Sequence, residues 1–566
     1  MGDHVPAAGS VAMGDHAPAA GRLLLRSGTG ANGHSLWKEV GELFRLAMPV
    51  FISHLMVFSI SLVSSIFCGH LGKVELDAVS LATAVINVSG ISIGVGLSAA
   101  CDTLVSQTFG SKNLKRIGVI LQRAILILMI TCFPCWALFI NIEHILLAFK
   151  QPPEVANLTQ LYVKIFIPGL PATFLYELEN RYLQNQGIIL PQIVTGFTAN
   201  VFNVVINYIL LYVMMLGVPG SAAANVVCQY CQAILLFIYI RWKKLYVGTW
   251  AGWSTDCLQE WGCFIRLAIP SMLMLCIEWW TYEIGIILAG LIDEVELGAQ
   301  AIIFQVVSTA YMIPLGFSIA VGISVGNALG AGDPQQAKTY AKVGLCCAGC
   351  CALVISILLA AIKDVVGYIF TTDKEIIRLV ARIDPLIASF HFFDAMTCLS
   401  SGVVIGSGKQ KIGAIVNLMV FYAIGYPVGI SLMFAAKLGI LGLWSGLFTA
   451  VVVQFIVFQS VIFKLNWEKA SDQARVNAGV KQDVDASSSP AGGQTENILI
   501  EEIEEEKNNT ELEQLLDEST TTQHDVTVGD VLPMKQLIIR RGLAFLSGPL
   551  ILAIGLVIHF TVAMDL

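Results

Sequence analysis

Charge is scarce in this sequence: only 13% of its residues are Asp, Glu, Lys or Arg, against about 25% in ordinary globular domains. No basic stripe runs along it, which excludes nucleic acid as a partner. No glycine-rich stretch ends in the GK[ST] of a phosphate-binding loop; Gly326-Asn-Ala-Leu-Gly-Ala-Gly-Asp333 stops short of it and reads as a tight turn between helices. Any energy for work must then come from an ion gradient or a partner, and a transporter is expected rather than an enzyme. The 14 cysteines lack matching His or Cys pairs at metal-ligand spacing, so no metal and no cofactor is expected, and the thiols read as small buried hydrophobes. Residues 1–40 have no apolar core of the kind a signal peptide needs. They carry a local duplication, Met1-Gly-Asp-His beside Met13-Gly-Asp-His.

What is abundant is apolar: 56% of the 566 residues are hydrophobic and the mean hydropathy is +0.73. A bilayer core takes about 20 apolar residues per helical crossing. By that criterion thirteen spans are expected, near 44–68, 76–107, 117–140, 157–184, 191–214, 218–241, 262–290, 296–328, 338–362, 376–406, 411–434, 438–463 and 542–562. The fold class is an all-α polytopic membrane protein, in contact with lipid on its outer faces.

Lys and Arg gather in alternate short loops, with Lys112, Lys115, Arg116, Arg181, Arg241, Lys243, Lys244, Lys338, Lys342, Lys409 and Lys411 on one side. Positive loops stay in the cytoplasm, so the N-terminus is expected there and the C-terminus outside. The net charge of −8 owes much to one acidic stretch, 501–518, in a polar segment where Ser, Gly and Glu replace the apolar runs. The expected divisions are a disordered cytoplasmic 1–40, a first lobe 41–245, a loop 246–261, a second lobe 262–465, a disordered acidic linker 466–540, and a thirteenth span with a short outer tail, 541–566.

The two lobes are read from an internal repeat. Arg45-Leu-Ala-Met-Pro49 recurs as Arg266-Leu-Ala-Ile-Pro270, Val74-Glu-Leu76 as Val295-Glu-Leu297, and Gly187 as Gly408, each 221 residues on; Gln107-Thr-Phe-Gly110 parallels Asn327-Ala-Leu-Gly330 at 220, and Leu216-Gly217 parallels Leu438-Gly439 at 222. Six spans per copy is even, so both copies enter the membrane from one side. The lobes are then related by a pseudo-twofold along the membrane normal, with a substrate path between them.

Within the seventh span lie Cys276-Ile277-Glu278-Trp279-Trp280-Thr281-Tyr282-Glu283. A charge at such depth costs about 2.5–3.5 kcal/mol on insertion scales and is normally kept for a function. No Lys or Arg in the span neutralises either acid. Aromatic faces at Trp279, Trp280 and Tyr282 attract cations, and burial favours the protonated form of a carboxyl, so protons and organic cations could compete for one place. Glu278 and Glu283 stand about 140° apart around a helix, which requires a wide or bent lumen for both to line it. In the tenth span Asp394 sits among Phe390, Phe392 and Phe393, with His391 three residues before it on the same face, as a hydrogen-bond partner and relay or as an ordinary core histidine. His54 and Asn87 face a first-lobe cavity or serve helix–helix hydrogen bonding. Asp102 and Glu177 are expected to pair with Arg123 or Arg181; Asp293, Glu294 and Glu296 to form an exposed acidic loop; and Pro168, Pro171, Pro270 and Pro314 to bend their helices.

Arg45-Leu-Ala-Met-Pro49, Cys68-Gly-His-Leu-Gly72, Glu75-Leu-Asp-Ala-Val79, Arg266-Leu-Ala-Ile-Pro270, Glu278-Trp279-Trp280, Gly326 to Gly332 and Gly406-Ser-Gly408 together resemble the multidrug and toxin extrusion (MATE) family, in its animal branch, over about 37–469 and the last span. The resemblance implies a secondary active, proton-coupled exporter of small organic cations and drugs by alternating access, at the apical plasma membrane; a monomer is expected, though residue order does not determine the oligomeric state. It assigns the coupling acids to Glu278, Glu283 and Asp394, and substrate contact to Tyr282 and Tyr311. The chain departs from the pattern at Gln305, where relatives often carry a carboxylate, at Asp394, where Glu is usual, and at His54, where Gln is frequent. A Na⁺-coupled multidrug exporter is the nearer alternative, and a non-transporting receptor or scaffold the more distant one.

Overall fold

In the computed structural model the described residues are 36–69, 73–149, 151–371, 373–480 and 532–565. Twelve helical crossings form the two lobes. The first lobe comprises α1 (Leu36–Gly69), α2 (Lys73–Ile86, Ser92–Ser98 and Ala100–Gly110, with a π turn at Asn87–Ile91), α3 (Leu114–Ile140), α4 (Pro153–Phe166 and Gly169–Gln184), α5 (Leu190–Tyr208 with a π turn at Ile209–Val213) and α6 (Val218–Trp242). The second comprises α7 (Trp261–Gly290), α8 (Glu294–Gly330), α9 (Pro334–Ile362), α10 (Lys374–Gly406), α11 (Gln410–Asn417 and Tyr426–Ile430 with π segments Leu418–Gly425 and Ser431–Ala435) and α12 (Ile440–Phe463). Two further helices follow, α13 (Trp467–Asn477) and α14 (Met534–Asp565). Strands are absent among the described residues.

Eleven of these helices are long and apolar enough to cross a membrane, and a twelfth crossing is α4, bent by 56° where Pro168 interrupts it. α10 is long enough but less apolar, because His391, Asp394 and several Ser and Thr residues sit within it. With α10 the crossings number thirteen, the last being α14. α7 and α8 run unbroken through Pro270 and Pro314, so those prolines do not interrupt the helices as Pro168 does.

Helix starts follow the chemistry of their first turns. Asp293, Asp333 and Asp373 each accept a backbone N–H of the opening turn of α8, α9 and α10, at 2.8, 2.9 and 2.8 Å. Glu296 is also engaged: its Oε2 accepts the Ile440 N–H at 2.7 Å and so caps α12. Asp293 is exposed, as expected of this loop, while Glu296 is drawn part way in to satisfy a helix end.

The repeat is written into the backbone. Gly187 and Gly408 both have φ 74°, and Gly217 and Gly439, which open α6 and α12, both have φ 61°. Only glycine enters that left-handed region without strain. Where the lobes meet, the copies touch reciprocally. A Cβ on Gly110 would stand 2.0 Å from Asn327 O, and one on Gly330 would stand 1.9 Å from Gln107 O. Because Gln107 and Gly110 correspond to Asn327 and Gly330, this contact is self-complementary, as a twofold axis requires. The glycine-rich stretch read as a turn is therefore chiefly a surface of close approach between α2 and α8, although Gly332 does make a left-handed turn at φ 83°. Replacing Gly330 by Leu should force these two helix ends apart and cost about 1–3 kcal/mol by overpacking. The check is the unfolding midpoint in detergent; a wild-type value would mean the ends separate freely.

The helical chain runs further past α12 than the sequence suggests. Residues 467–477 are helical as α13, because Asn466 Oδ1 caps it at 3.0 Å and Ala470, Ser471, Ala474 and Asn477 make one buried face. The last helix likewise begins at Met534, not 541, and the first at Leu36, inside the segment expected to be unstructured. Residues 1–35 and 481–531, with the duplication and the acidic run, lie outside the described residues. α14 packs along α3. Asn141 Nδ2 donates to Gly555 O at 3.0 Å near one end; near the other, Arg541 lies 4.5 Å over the Trp261 ring and Gln259 exchanges two hydrogen bonds with Leu532. The loop between the lobes is clasped to α3 by Glu260, which pairs with Arg116 at 2.7 Å and Arg123 at 3.2 Å.

Candidate functional site

α7 places Glu278 and Tyr282 one turn apart on one face. α8 answers with Phe304 and Tyr311, two turns apart on one face. The Tyr311 hydroxyl donates to Glu278 Oε1 at 3.2 Å, and the Tyr282 ring lies 5.9 Å from Phe304 and 6.5 Å from Trp444 of α12. α10 contributes Asp394 and, a turn later, Cys398. Asp394 lies within electrostatic reach of Glu278, and both tyrosines lie within reach of both acids. Four helices of the second lobe thus converge on one aromatic-walled cluster.

What this cluster lacks among the described residues is a cation. Neither Glu278 nor Asp394 has an ion pair, and Asp394, 5% exposed, has a buried Oδ2 without a hydrogen-bond partner. An ionised carboxyl left so is costly, so the site favours either a proton on the acid or a positively charged guest beside it.

Other expected members fall elsewhere. Glu283 is half-buried on a different face of α7, and no hydrogen bond or ion pair among the described residues joins it to the cluster. His391 is fully buried, and among the described residues it makes no hydrogen bond to Asp394 and neither ring nitrogen has a partner. The rigid helix keeps the two side chains three residues apart on one face without bringing their polar atoms together. Gln305 is half-buried, with an amide that bonds to no described residue. Trp279 is half-buried beside Glu278, whereas Trp280 reaches across to the first lobe and donates to Val88 O at 3.1 Å. Asn87 opens the π turn of α2 and is half-buried.

The first lobe has its own polar cluster, of a different kind. Arg181 of α4 pairs with Asp102 of α2 and with Glu177 at 3.0 Å, and its Nε donates to Ser98 Oγ at 2.8 Å. Arg123 is not involved, being held by Glu260, so the alternative left open by the sequence resolves to Arg181. His54 lies within reach of the Arg181 charge, with a buried Nε2 that has no partner. Two carboxylates are paired here with one resident cation, whereas the acids of the second lobe have none among the described residues. Sequence reading missed Cys398, Phe304 and Trp444 at the latter cluster. Helical spacing could have found Cys398, four residues after Asp394, but nothing local could have found Trp444 on α12.

Comparisons with known proteins agree with this architecture. The MatE family model matches residues 49–209 and again 270–430, two copies at the repeat offset. Multidrug and toxin extrusion protein 1 of Danio rerio is 54% identical over 534 residues, covering 92% of this chain and 90% of the relative. The Homo sapiens protein of that name is 53% identical over 539 residues, covering 93% and 94%. Among solved structures, the eukaryotic MATE transporter AtDTX14 superposes with a TM-score of 0.76 at 28% identity, over 78% of this chain and 99% of that one. The Vibrio cholerae MATE transporter VcmN in its bent form, at 16% identity and a TM-score of 0.68 over 78% and 99%, shares the fold.

Proposed function

The chain belongs to the multidrug and toxin extrusion family, and from that premise we propose that it is a secondary active transporter exporting organic cations in exchange for protons. One observation carries the proton coupling: Glu278 and Asp394 share an aromatic-lined cluster in which no side-chain cation among the described residues neutralises them. A cation entering from the cytoplasm takes that place, held by carboxylate charge and by the faces of Tyr282, Tyr311 and Trp279. Protonation from the outer side removes the charge and releases it. The fluxes are coupled because the two protonation states differ in affinity for the guest.

In this reading the lobes, 41–245 and 262–465, rock against one another and open a path to the cluster inside the second, with the N-terminus in the cytoplasm and the C-terminus outside, at the apical plasma membrane. Glu283, Gln305, Asn87, His54 and His391 line the path rather than bind at its centre. The protein works as a monomer. Uptake of labelled tetraethylammonium into proteoliposomes, with pH and Na⁺ gradients imposed separately, tests it. An outward proton gradient alone should drive uptake, and uptake driven only by Na⁺ would sink the proton reading.

Tyr311→Phe removes the hydroxyl that donates to Glu278. A hydrogen bond to a charged group is worth about 1.5–3 kcal/mol, so cation uptake should fall about tenfold. Initial rates measured against protein amount in the membrane provide the check.

A further inference from the structure

We propose that α13 is a bolt across the closed ends of α2 and α8, with the Gln107–Asn477 amide pair as its releasable joint. The idea rests on the alternating-access reading above, because those ends must part for the cytoplasmic face to open.

α13 is carried by the second lobe. It follows α12 after three residues, and Trp467, Ala470 and Ala474 join an apolar cluster to which α8 and α9 give Phe317 and Tyr340, α10 gives Leu399 and the first lobe's α1 gives Leu43. Ser471 Oγ also donates to Leu329 O at 3.0 Å. Its far end crosses to the first lobe, where Asn477 Nδ2 donates to Gln107 Oε1 at 3.0 Å and Asn113 Nδ2 donates to Ala478 O at 3.1 Å. Gln107 in turn donates to Gly406 O of α10 at 3.1 Å. One chain of amides therefore ties the bolt to the first lobe and the first lobe back to the second. It is a dry chain, with Gln107 1% and Asn477 8% exposed.

The repeat shows that this joint is an addition. Asn327 stands where Gln107 stands in the other copy, and its buried Nδ2 and Oδ1 have no hydrogen-bond partner among the described residues. Of two equivalent positions, one is bolted. The glycine contact beside it closes the ends by van der Waals packing, which weakens gradually with separation. The amide bonds are directional and buried, so parting the ends breaks them outright. Each such bond should favour the closed state by about fivefold. When the lobes part, α13 stays on α8 and α9 and its bonds to Gln107 and Asn113 are released, together with the direct bonds from Gln107 to Gly406 O and from Thr103 Oγ1 to Ile405 O.

The test uses the full-length protein in proteoliposomes. Asn477→Ala should raise deuterium uptake in segments 98–113 and 322–334. It should also lower the KM for tetraethylammonium presented at the cytoplasmic face by about fivefold, because more molecules stand open to that side. Gln107→Asn combined with Asn477→Gln keeps the pair's combined length and should restore both readouts. Should Asn477→Ala fail to accumulate, Asn113→Ala, at the half-exposed edge, should shift both in the same direction. Faster uptake confined to 467–480, faster uptake in every helix, or a changed seal with an unchanged KM would each overturn the bolt. Deuterium uptake needs no transport, so silence there counts against the bolt itself. Wild-type vesicles that move no tetraethylammonium would overturn the function it serves.

Discussion

Glu278→Gln is expected to abolish proton-driven cation uptake while the protein still reaches the membrane in normal amount. The replacement has the same shape and keeps an oxygen to accept from Tyr311, so neither packing nor that hydrogen bond at 3.2 Å need change. What disappears is the negative charge and the site of protonation. At about 4 Å and an effective dielectric near 20, a charge pair is worth about 4 kcal/mol, so a loss of a hundredfold or more is expected. Initial uptake per molecule, with surface labelling to count molecules, measures it. Brisk uptake by the variant would remove Glu278 from the centre of the mechanism. Asp394 is the remaining acid of the cluster and keeps its own charge in the variant, so the loss measured is that of Glu278 alone.

Arg181→Leu should have the largest effect on stability. Arg181 holds Asp102, Glu177 and Ser98 together, joining α2 to α4 inside the first lobe. These pairs are only partly buried, so removing their shared cation should cost less than the about 3–5 kcal/mol of a fully buried pair while still stranding two carboxylates. The variant should accumulate poorly and unfold at a markedly lower temperature in detergent. Asp102→Asn combined with Glu177→Gln on the same background should recover much of the loss, since no charge is then stranded. A wild-type melting temperature in the single variant would show that water reaches these acids.

The contrast between the two clusters was only half visible in the residue order. That acids lie inside apolar spans can be counted along the chain. Which acid meets which helix cannot. Glu283 and Glu278 share a span, yet about 140° of helical rotation sends them to different neighbours, while Asp394, more than a hundred residues away, comes within reach of Glu278. The same limit hid the pairing of Asp102 with Arg181 rather than Arg123, and the work of Glu296 as a cap for α12. α13 was missed for another reason. Its apolar face is made of Ala470 and Ala474 in a polar stretch, too small a pattern to stand out until α8 and α9 lie beneath it.

Residue order alone determined the membrane as solvent, the near count of crossings and the duplication. These follow from apolar run length and from a fixed offset, both properties of the chain taken one segment at a time. The family followed too, because its motifs are short and contiguous. Tertiary structure decided the rest: which carboxylates keep a resident cation and which do not, where the two copies press glycine against backbone, and what spans that seam. A helix sets the direction of its own side chains, but their partners are set by the packing of one helix on another.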